Sequence, residues 1–196
     1  MNYILASGSP RRQELLKQIG MEFTVITADV DESYPYDTEP ERIVERLSRR
    51  KCGAVYDKIR DKLSEQTVII AADTIVFSEA RVLGKPHSEE EAFEMLKSLS
   101  GKSHFVYTGV TLIFYGEKGL KDITFSDKAE VFFRELSDEE IWAYISTGEP
   151  ADKAGAYGIQ GRGAVLVEKI IGDFYTIVGL PLVRVASGIK ELTRSF

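Results

Sequence analysis

A short stretch near the start of the chain, Ser7-Gly8-Ser9-Pro10-Arg11-Arg12, gathers two hydroxyls and two guanidiniums where an apolar run gives way to a proline-initiated helix. At a helix start the first backbone N–H groups lack partners and the helix dipole is positive, so an anion is favoured there. Guanidinium forks match phosphate oxygens two at a time, and glycine lets a ligand approach the backbone. The same residues also read as a plain cap, with Ser9 and Pro10 starting the helix and both arginines in water.

Asp73 is the second candidate. It follows Thr67 to Ala72, a continuous β-branched and apolar run, and no basic residue adjoins it in sequence. A carboxylate delivered by a buried strand suits metal binding or general-base work. The bland reading is a turn or cap aspartate, although no helical run follows for it to cap. Asp29, Asp31 and Glu32 offer a second carboxylate for a divalent ion, or simply a solvated turn. Arg46, Arg49, Arg50 and Lys51 crowd one helix, ordinarily a solvated face or salt-bridge partners of nearby acids, and only one of them need point inward.

Two further segments carry suitable groups. Lys85 lies in Gly84-Lys85-Pro86, a stiff turn that holds an ammonium in one place better than a helix surface does. Asp152 to Gly161 combines charge, small residues and Gln160, whose amide can donate to and accept from a base edge. A surface loop with glycine turns is its alternative. Gly101-Lys102-Ser103 imitates the end of a P-loop, but Leu96 stands where the first glycine is required. Gly155, Gly158 and Gly161 miss the dinucleotide-binding spacing. His87 and His104 are far in sequence from each other and from Cys52, which removes support for zinc or Cys-His chemistry, and His104 reads as a strand residue.

These groups must be positioned by recognisable elements. Tyr3 to Ala6 reads as a strand, and the helix from Pro10 carries Leu15, Leu16 and Ile19 before Gly20 closes it. Phe23 to Thr27 reads as a second strand. Thr38 with Glu41 has the form of a capping box for a helix with Ile43, Val44, Leu47 and Val55 on its apolar face. Ile75 to Phe77 continue the strand that brings Asp73-Thr74. Ser88 with Glu91 caps a third helix, closed at Ser100-Gly101. His104 to Tyr115 and Ile123 to Phe133 flank Gly116-Glu117-Lys118-Gly119 and predict a hairpin. Ser137 with Glu140 starts a helix ending at Gly148. Gly148 to Gly163 holds five of the sixteen glycines without a period, the mark of a functional loop. Ala164 to Ile170 is expected as a strand, and Pro181 to begin a terminal helix with Leu182, Val185, Ile189 and Leu192 on one side.

Composition bounds the rest. A chain of 196 residues, 43% hydrophobic and 29% charged, is ordinary globular material, and a single domain over residues 1–196 is expected. A formal charge of -6 argues against a nucleic-acid coat while allowing a local anion site. The lone Cys52 cannot form an internal disulfide, and the opening residues lack a secretion-signal pattern, so a cytoplasmic location is expected. No apolar stretch approaches the roughly 20 residues that cross a bilayer, so no membrane partner is expected.

Together these segments resemble the Maf family, the septum-formation-inhibitor-like nucleoside triphosphate pyrophosphatases, from Ile4 to the final helix. The motifs are Ser7 to Arg12, Asp31-Glu32, Lys51, Ala72-Asp73-Thr74, Gly84-Lys85-Pro86, Ser100-Gly101 with His104 and Thr108-Gly109, and Asp152 to Gly161. The resemblance implies an α/β fold with a mixed, strongly bent sheet flanked by helices, two lobes and a central cleft, similar to the inosine triphosphate pyrophosphatases. By the same resemblance Asp73 is the proton acceptor, and Arg12, Thr74 and Gln160 set substrate choice, in a pattern similar to the dTTP and UTP branch. The implied reaction is attack of water on the α-phosphorus, giving monophosphate and pyrophosphate with Mg²⁺ or Mn²⁺. On this reading Asp73, Lys51 and Lys85 are catalytic, Ser7, Ser9, Arg11, Arg12, Thr74 and Gln160 bind substrate, and Glu32 and Asp73 hold the metal. A small-molecule nucleoside triphosphate is the expected partner, and a homodimer is common in the family. The rival expectation is a non-catalytic nucleotide-binding regulator of septum formation.

Overall fold

A computed structural model describes residues 1–35, 37–64 and 66–194. The chain divides into two compact units. The first comprises residues 1–73, 108–127 and 179–196, the second 74–107 and 128–178. The strand order is β2-β1-β3-β5-β6-β7 with β4 added to β3, an open sheet of mixed direction flanked by helices.

In the first unit, β1 (Asn2–Leu5) is followed by α1 (Pro10–Gln18) and the short β2 (Thr24–Val25). β1 runs parallel to β2 and to β3 (Thr67–Ser78), with Leu5 opposite Val25 and Ile70. β2 is shorter than the five residues expected, because beyond Val25 the chain keeps only the Ile26 N–H bond to the Leu5 carbonyl before leaving the sheet. Between β2 and β3 lies α2 (Pro40–Ile59), whose Ile43, Val44, Leu47, Cys52 and Val55 are buried. Burial of each aliphatic side chain is worth roughly 2 kcal/mol, and together they fix which face of the helix turns inward. Thr38 does not cap this helix. Its hydroxyl donates to the Pro35 carbonyl, and Glu39 is the N-cap, because Pro40 presets the first helical position and moves the start one residue on.

β3 is continuous for 12 residues, so Asp73 sits in the middle of a strand that Ile75 to Phe77 continue, as expected. β5 (Ser103–Gly116) and β6 (Gly119–Phe133) are hydrogen-bonded neighbours joined through Glu117-Lys118, as the hairpin pattern predicts. The last helix, α6 (Leu182–Arg194), buries Leu182, Val185, Ile189 and Leu192 as expected. A cluster of Ala6, Cys52, Val55, Ile69, Ala71 and Ile113 forms the core beneath α2. Thr108-Gly109 lies in β5, and an added Cβ at Gly109 would meet the backbone of Val44 at 2.3 Å. Only glycine allows the strand to pass the helix this closely.

In the second unit, β4 (Arg81–Leu83) pairs antiparallel with β3, and β7 (Val167–Ile171) pairs antiparallel with β6. β7 begins three residues later than expected, because Gly161–Leu166 turns as a tight helix instead of extending. α3 (Glu89–Leu99) and α4 (Asp138–Ile145) start at Ser88 and Ser137, and Ser137 forms a complete capping box with Glu140. Phe93 and Trp142 stack at 4.9 Å between these helices. The five-residue α5 (Phe174–Val178) has no counterpart among the sequence expectations. The core of this unit includes Val76, Leu96, Leu99, Val131, Ile141 and Tyr157.

Candidate active site

Lys51 continues the apolar stripe of α2, standing four residues after Leu47 and four before Val55, so the helix face that buries those side chains also carries the ammonium inward. Periodicity therefore distinguishes it from Arg46, Arg49 and Arg50. Its Nζ lies 2.5 Å from Asp73 Oδ1 and 2.7 Å from Glu32 Oε1. Lys51 and Asp73 are mostly buried, their side chains 20% and 12% exposed. Neither charge would be tolerable there alone, and pairing offsets the loss of hydration.

Arg12 is anchored beside this pair. Its Nε donates to the Gly179 carbonyl at 2.9 Å and its Nη1 to Ser7 Oγ at 3.0 Å. Burial draws the guanidinium pKa down, and the Asp73 carboxylate pulls it back up. Ser9 precedes α1 as expected, but its hydroxyl makes no capping bond. Instead the Ser9 N–H donates to Ser7 Oγ at 3.3 Å and its carbonyl accepts from the Gln13 N–H. The first turn of α1 contains Arg11 and Arg12 and no acidic residue. Positive charge at the positive end of a helix is unfavourable unless an anion answers it.

The acidic loop is held from α2. Arg50 Nη1 donates to the carbonyls of Asp31 and Ser33, at 2.7 and 2.8 Å. Asp31 accepts from the Ser33 N–H and hydroxyl, which lowers its pKa together with the nearby Arg50 charge. Glu32, between these two clamped residues, is the one that reaches Lys51. Asp29 is exposed. Arg50, read from sequence as part of a solvated face or as a partner of nearby acids, lies near the Asp31 carboxylate and also clamps the loop backbone, a role that nothing local in the sequence marks.

The donor set bears on the metal expectation. Among the described residues, no three or more His, Cys, Asp and Glu side chains converge as a metal site. Two carboxylate oxygens, from Glu32 and Asp73, do converge on one cationic centre. Mg²⁺ is characteristically held by one or two carboxylates, with substrate phosphates and water completing its shell. The residues present fit that mode.

Thr74, Lys85 and Gln160 belong to the second unit. Thr74, next after Asp73, is partly buried, whereas Lys85 and Gln160 are exposed. The Gly84 carbonyl accepts from the Gly155 N–H at 2.9 Å, which ties the turn bearing Lys85 to the loop bearing Gln160. Lys153 donates to the Glu149 carbonyl and to Asp152. His104 is a strand residue, as expected, but a buried polar one. Its Nε2 pairs with Tyr157 Oη at 2.7 Å, its Nδ1 has no hydrogen-bond partner among the described residues, and burial lowers its pKa to about 4.

A mostly buried lysine between two carboxylates, beside a helix start with two arginines, has the chemistry to bind charged phosphate groups. The chain belongs to the Maf-like protein family, which it matches over residues 2–192. It is 48% identical over 189 residues to the dTTP/UTP pyrophosphatase of Caldicellulosiruptor bescii, covering 96% of this chain and 94% of that one. It is likewise 48% identical over 188 residues to the dTTP/UTP pyrophosphatase of Bacillus cereus, with the same coverage. The Staphylococcus aureus Ham1 protein aligns over 85% of this chain and 80% of its own at 17% identity, with a TM-score of 0.42, too distant to bear on function.

Proposed function

We propose that this protein is a nucleoside triphosphate pyrophosphatase that converts dTTP and UTP to the monophosphate and pyrophosphate in the cytoplasm, as one domain spanning the chain. The names of relatives at 48% identity support the substrate class. The observation that carries the chemistry is Lys51, poised between Asp73 and Glu32. No helix among the described residues is long and apolar enough to cross a membrane.

In the proposed reaction a water oxygen attacks the α-phosphorus, the bond from that phosphorus to the α–β bridging oxygen breaks, and pyrophosphate leaves. Asp73 takes the proton of the attacking water, its carboxylate kept in place by the Lys51 ammonium. Lys51, Arg11, Arg12 and Lys85 neutralise charge moving onto the leaving group, while Ser7 and Ser9 donate to phosphate oxygens. Glu32 and Asp73 would hold Mg²⁺ or Mn²⁺, which supplies electrostatic stabilisation of the phosphate oxygens when bound. Thr74 and Gln160 address the base and sugar end of the nucleotide.

The test is incubation of the purified chain with single nucleoside triphosphates and Mg²⁺ or Mn²⁺, with product analysis. Monophosphate and pyrophosphate from dTTP and UTP are expected. Orthophosphate as the first product would overturn the reading. Asp73→Asn should lower turnover by about 100-fold or more with nucleotide binding largely intact.

A further inference from the structure

Gln160 lies within the six-residue segment 158–163, whose two ends are held by one pair of side chains. At the leading end, the Gly158 N–H donates to Tyr144 Oη at 3.1 Å. At the trailing end, the N–H groups of Arg162 and Gly163 donate to Glu149, at 3.0 Å to Oε2 and 3.2 Å to Oε1. Tyr144 and Glu149 are themselves joined, the Tyr144 hydroxyl donating to Glu149 Oε1 at 3.0 Å. Both anchors are firm. Tyr144 is buried on α4, and Glu149 follows Gly148 in a tight turn with its own N–H bonded to Thr147 Oγ1. The segment also packs against the carboxylate, since an added Cβ at Gly161 would lie 2.9 Å from Glu149 Oε2. The side chain that would read the base is exposed, yet the backbone before it is held by the Tyr144 hydroxyl and the backbone after it by charge-assisted bonds to the partly buried Glu149 carboxylate.

We infer that Tyr144 and Glu149 are positioning residues for nucleotide selectivity, holding Gln160 where it meets the base of a pyrimidine nucleoside triphosphate. This rests on the function proposed above. An amide discriminates between bases only if its position is set before the nucleotide arrives, because an amide free to swing adapts to either. Glu149 makes no contribution to phosphate chemistry in this scheme. Its loss should appear in KM and in selectivity, and leave turnover on a preferred substrate near that of the parent.

The experiment compares the parent chain with Glu149→Gln, Tyr144→Phe and Gln160→Ala, measuring kcat and KM for dTTP, UTP and a purine triphosphate. Glu149→Gln keeps one acceptor oxygen and loses the charge, whereas Tyr144→Phe keeps the buried ring and loses only the hydroxyl. Each should raise KM for dTTP and UTP about tenfold, with kcat within about threefold, and reduce selectivity over the purine nucleotide by a similar factor. Adding Gln160→Ala to Glu149→Gln should cause little further loss, since both act through the same contact. Amide exchange at Arg162 and Gly163 should be at least about tenfold faster in Glu149→Gln, a readout independent of turnover. Selectivity lost in Gln160→Ala but kept in the other two variants would overturn the positioning role alone. A uniform fall in kcat on every nucleotide would overturn it in favour of a purely structural role. A parent chain without pyrimidine preference would overturn the proposed substrate, and this inference with it.

Discussion

Replacing Gly109 by alanine adds a single methyl group where β5 passes against the backbone of α2. Its Cβ would lie 2.3 Å from both the carbonyl carbon and the oxygen of Val44, and 2.7 Å from the Glu45 nitrogen. That is more than about 1 Å inside ordinary contact distance, and the obstacle is helix backbone, which has no rotamer to change. Either β5 or α2 must move. Overpacking of this kind costs about 1–3 kcal/mol, and a backbone obstacle places the cost at the upper end. For a chain of this length, with roughly 2–4 °C per kcal/mol, Tm should fall by about 6–12 °C. The displaced helix carries Lys51 two turns beyond Val44, so a shift of about 1 Å at Asp73 should also lower dTTP turnover by up to about 100-fold. The control is Gly53→Ala in the same helix, where no atom lies within 4 Å of the added carbon. There only helix propensity changes, and stability should rise by about 1 kcal/mol. The assay is thermal unfolding of both variants at one pH, followed by turnover at 25 °C. Gly109→Ala melting with the parent, or both variants moving Tm in the same direction, would refute the reasoning.

Other perturbations test separate parts of the structure. Burial draws the His104 pKa down to about 4 from an ordinary value of 6.5, so the fold holds the ring neutral. The stability this gives is complete above about pH 6.5 and is lost as pH falls toward 4, by about 2 kcal/mol between pH 8 and pH 5. Urea unfolding at both pH values should show His104→Gln flattening that dependence, and an unchanged slope would count against it. Lys51→Met strands the Asp73 carboxylate among mostly buried surroundings and should cost about 3 kcal/mol in a urea melt, as well as abolishing measurable turnover. Arg50→Ala frees the loop that presents Glu32, so about tenfold more Mg²⁺ should be needed for half-maximal activity. Ser137→Ala should cost about 1 kcal/mol through loss of its capping box, whereas Thr38→Ala, outside any cap, should stay within about 0.5 kcal/mol.

Much of the fold was legible because its signals are local. The buried run Thr67 to Ala72, the caps at Ser88 and Ser137 and the hairpin through Glu117-Lys118 each depend on a few neighbouring residues, and each appears where the sequence places it. Thr38 misled because Pro40 sets the helix start more firmly than a hydroxyl cap does. Ala164 to Leu166 misled because apolar residues after glycine look extended whether or not a partner strand is beside them. In the site, Lys51 could be singled out by its place in the stripe of Val44, Leu47 and Val55. Arg50, Tyr144 and Glu149 carried no comparable sign, since their partners are largely backbone groups whose positions depend on the surrounding fold.

Local residue patterns are enough to define the types of chemistry available: a basic, hydroxyl-bearing helix start, an aspartate on a buried strand and an amide in a glycine-rich loop. Apolar periods, caps and turn residues act over a few positions, so these needed no knowledge of the whole. Tertiary structure alone decided that Glu32, rather than Asp29 or Asp31, meets Lys51, that Arg12 is anchored by the Gly179 carbonyl, and that the ends of the Gln160 segment rest on Tyr144 and Glu149. Those pairings join residues distant in sequence or groups of the backbone. Their geometry follows only once buried side chains have fixed where each helix and loop lies.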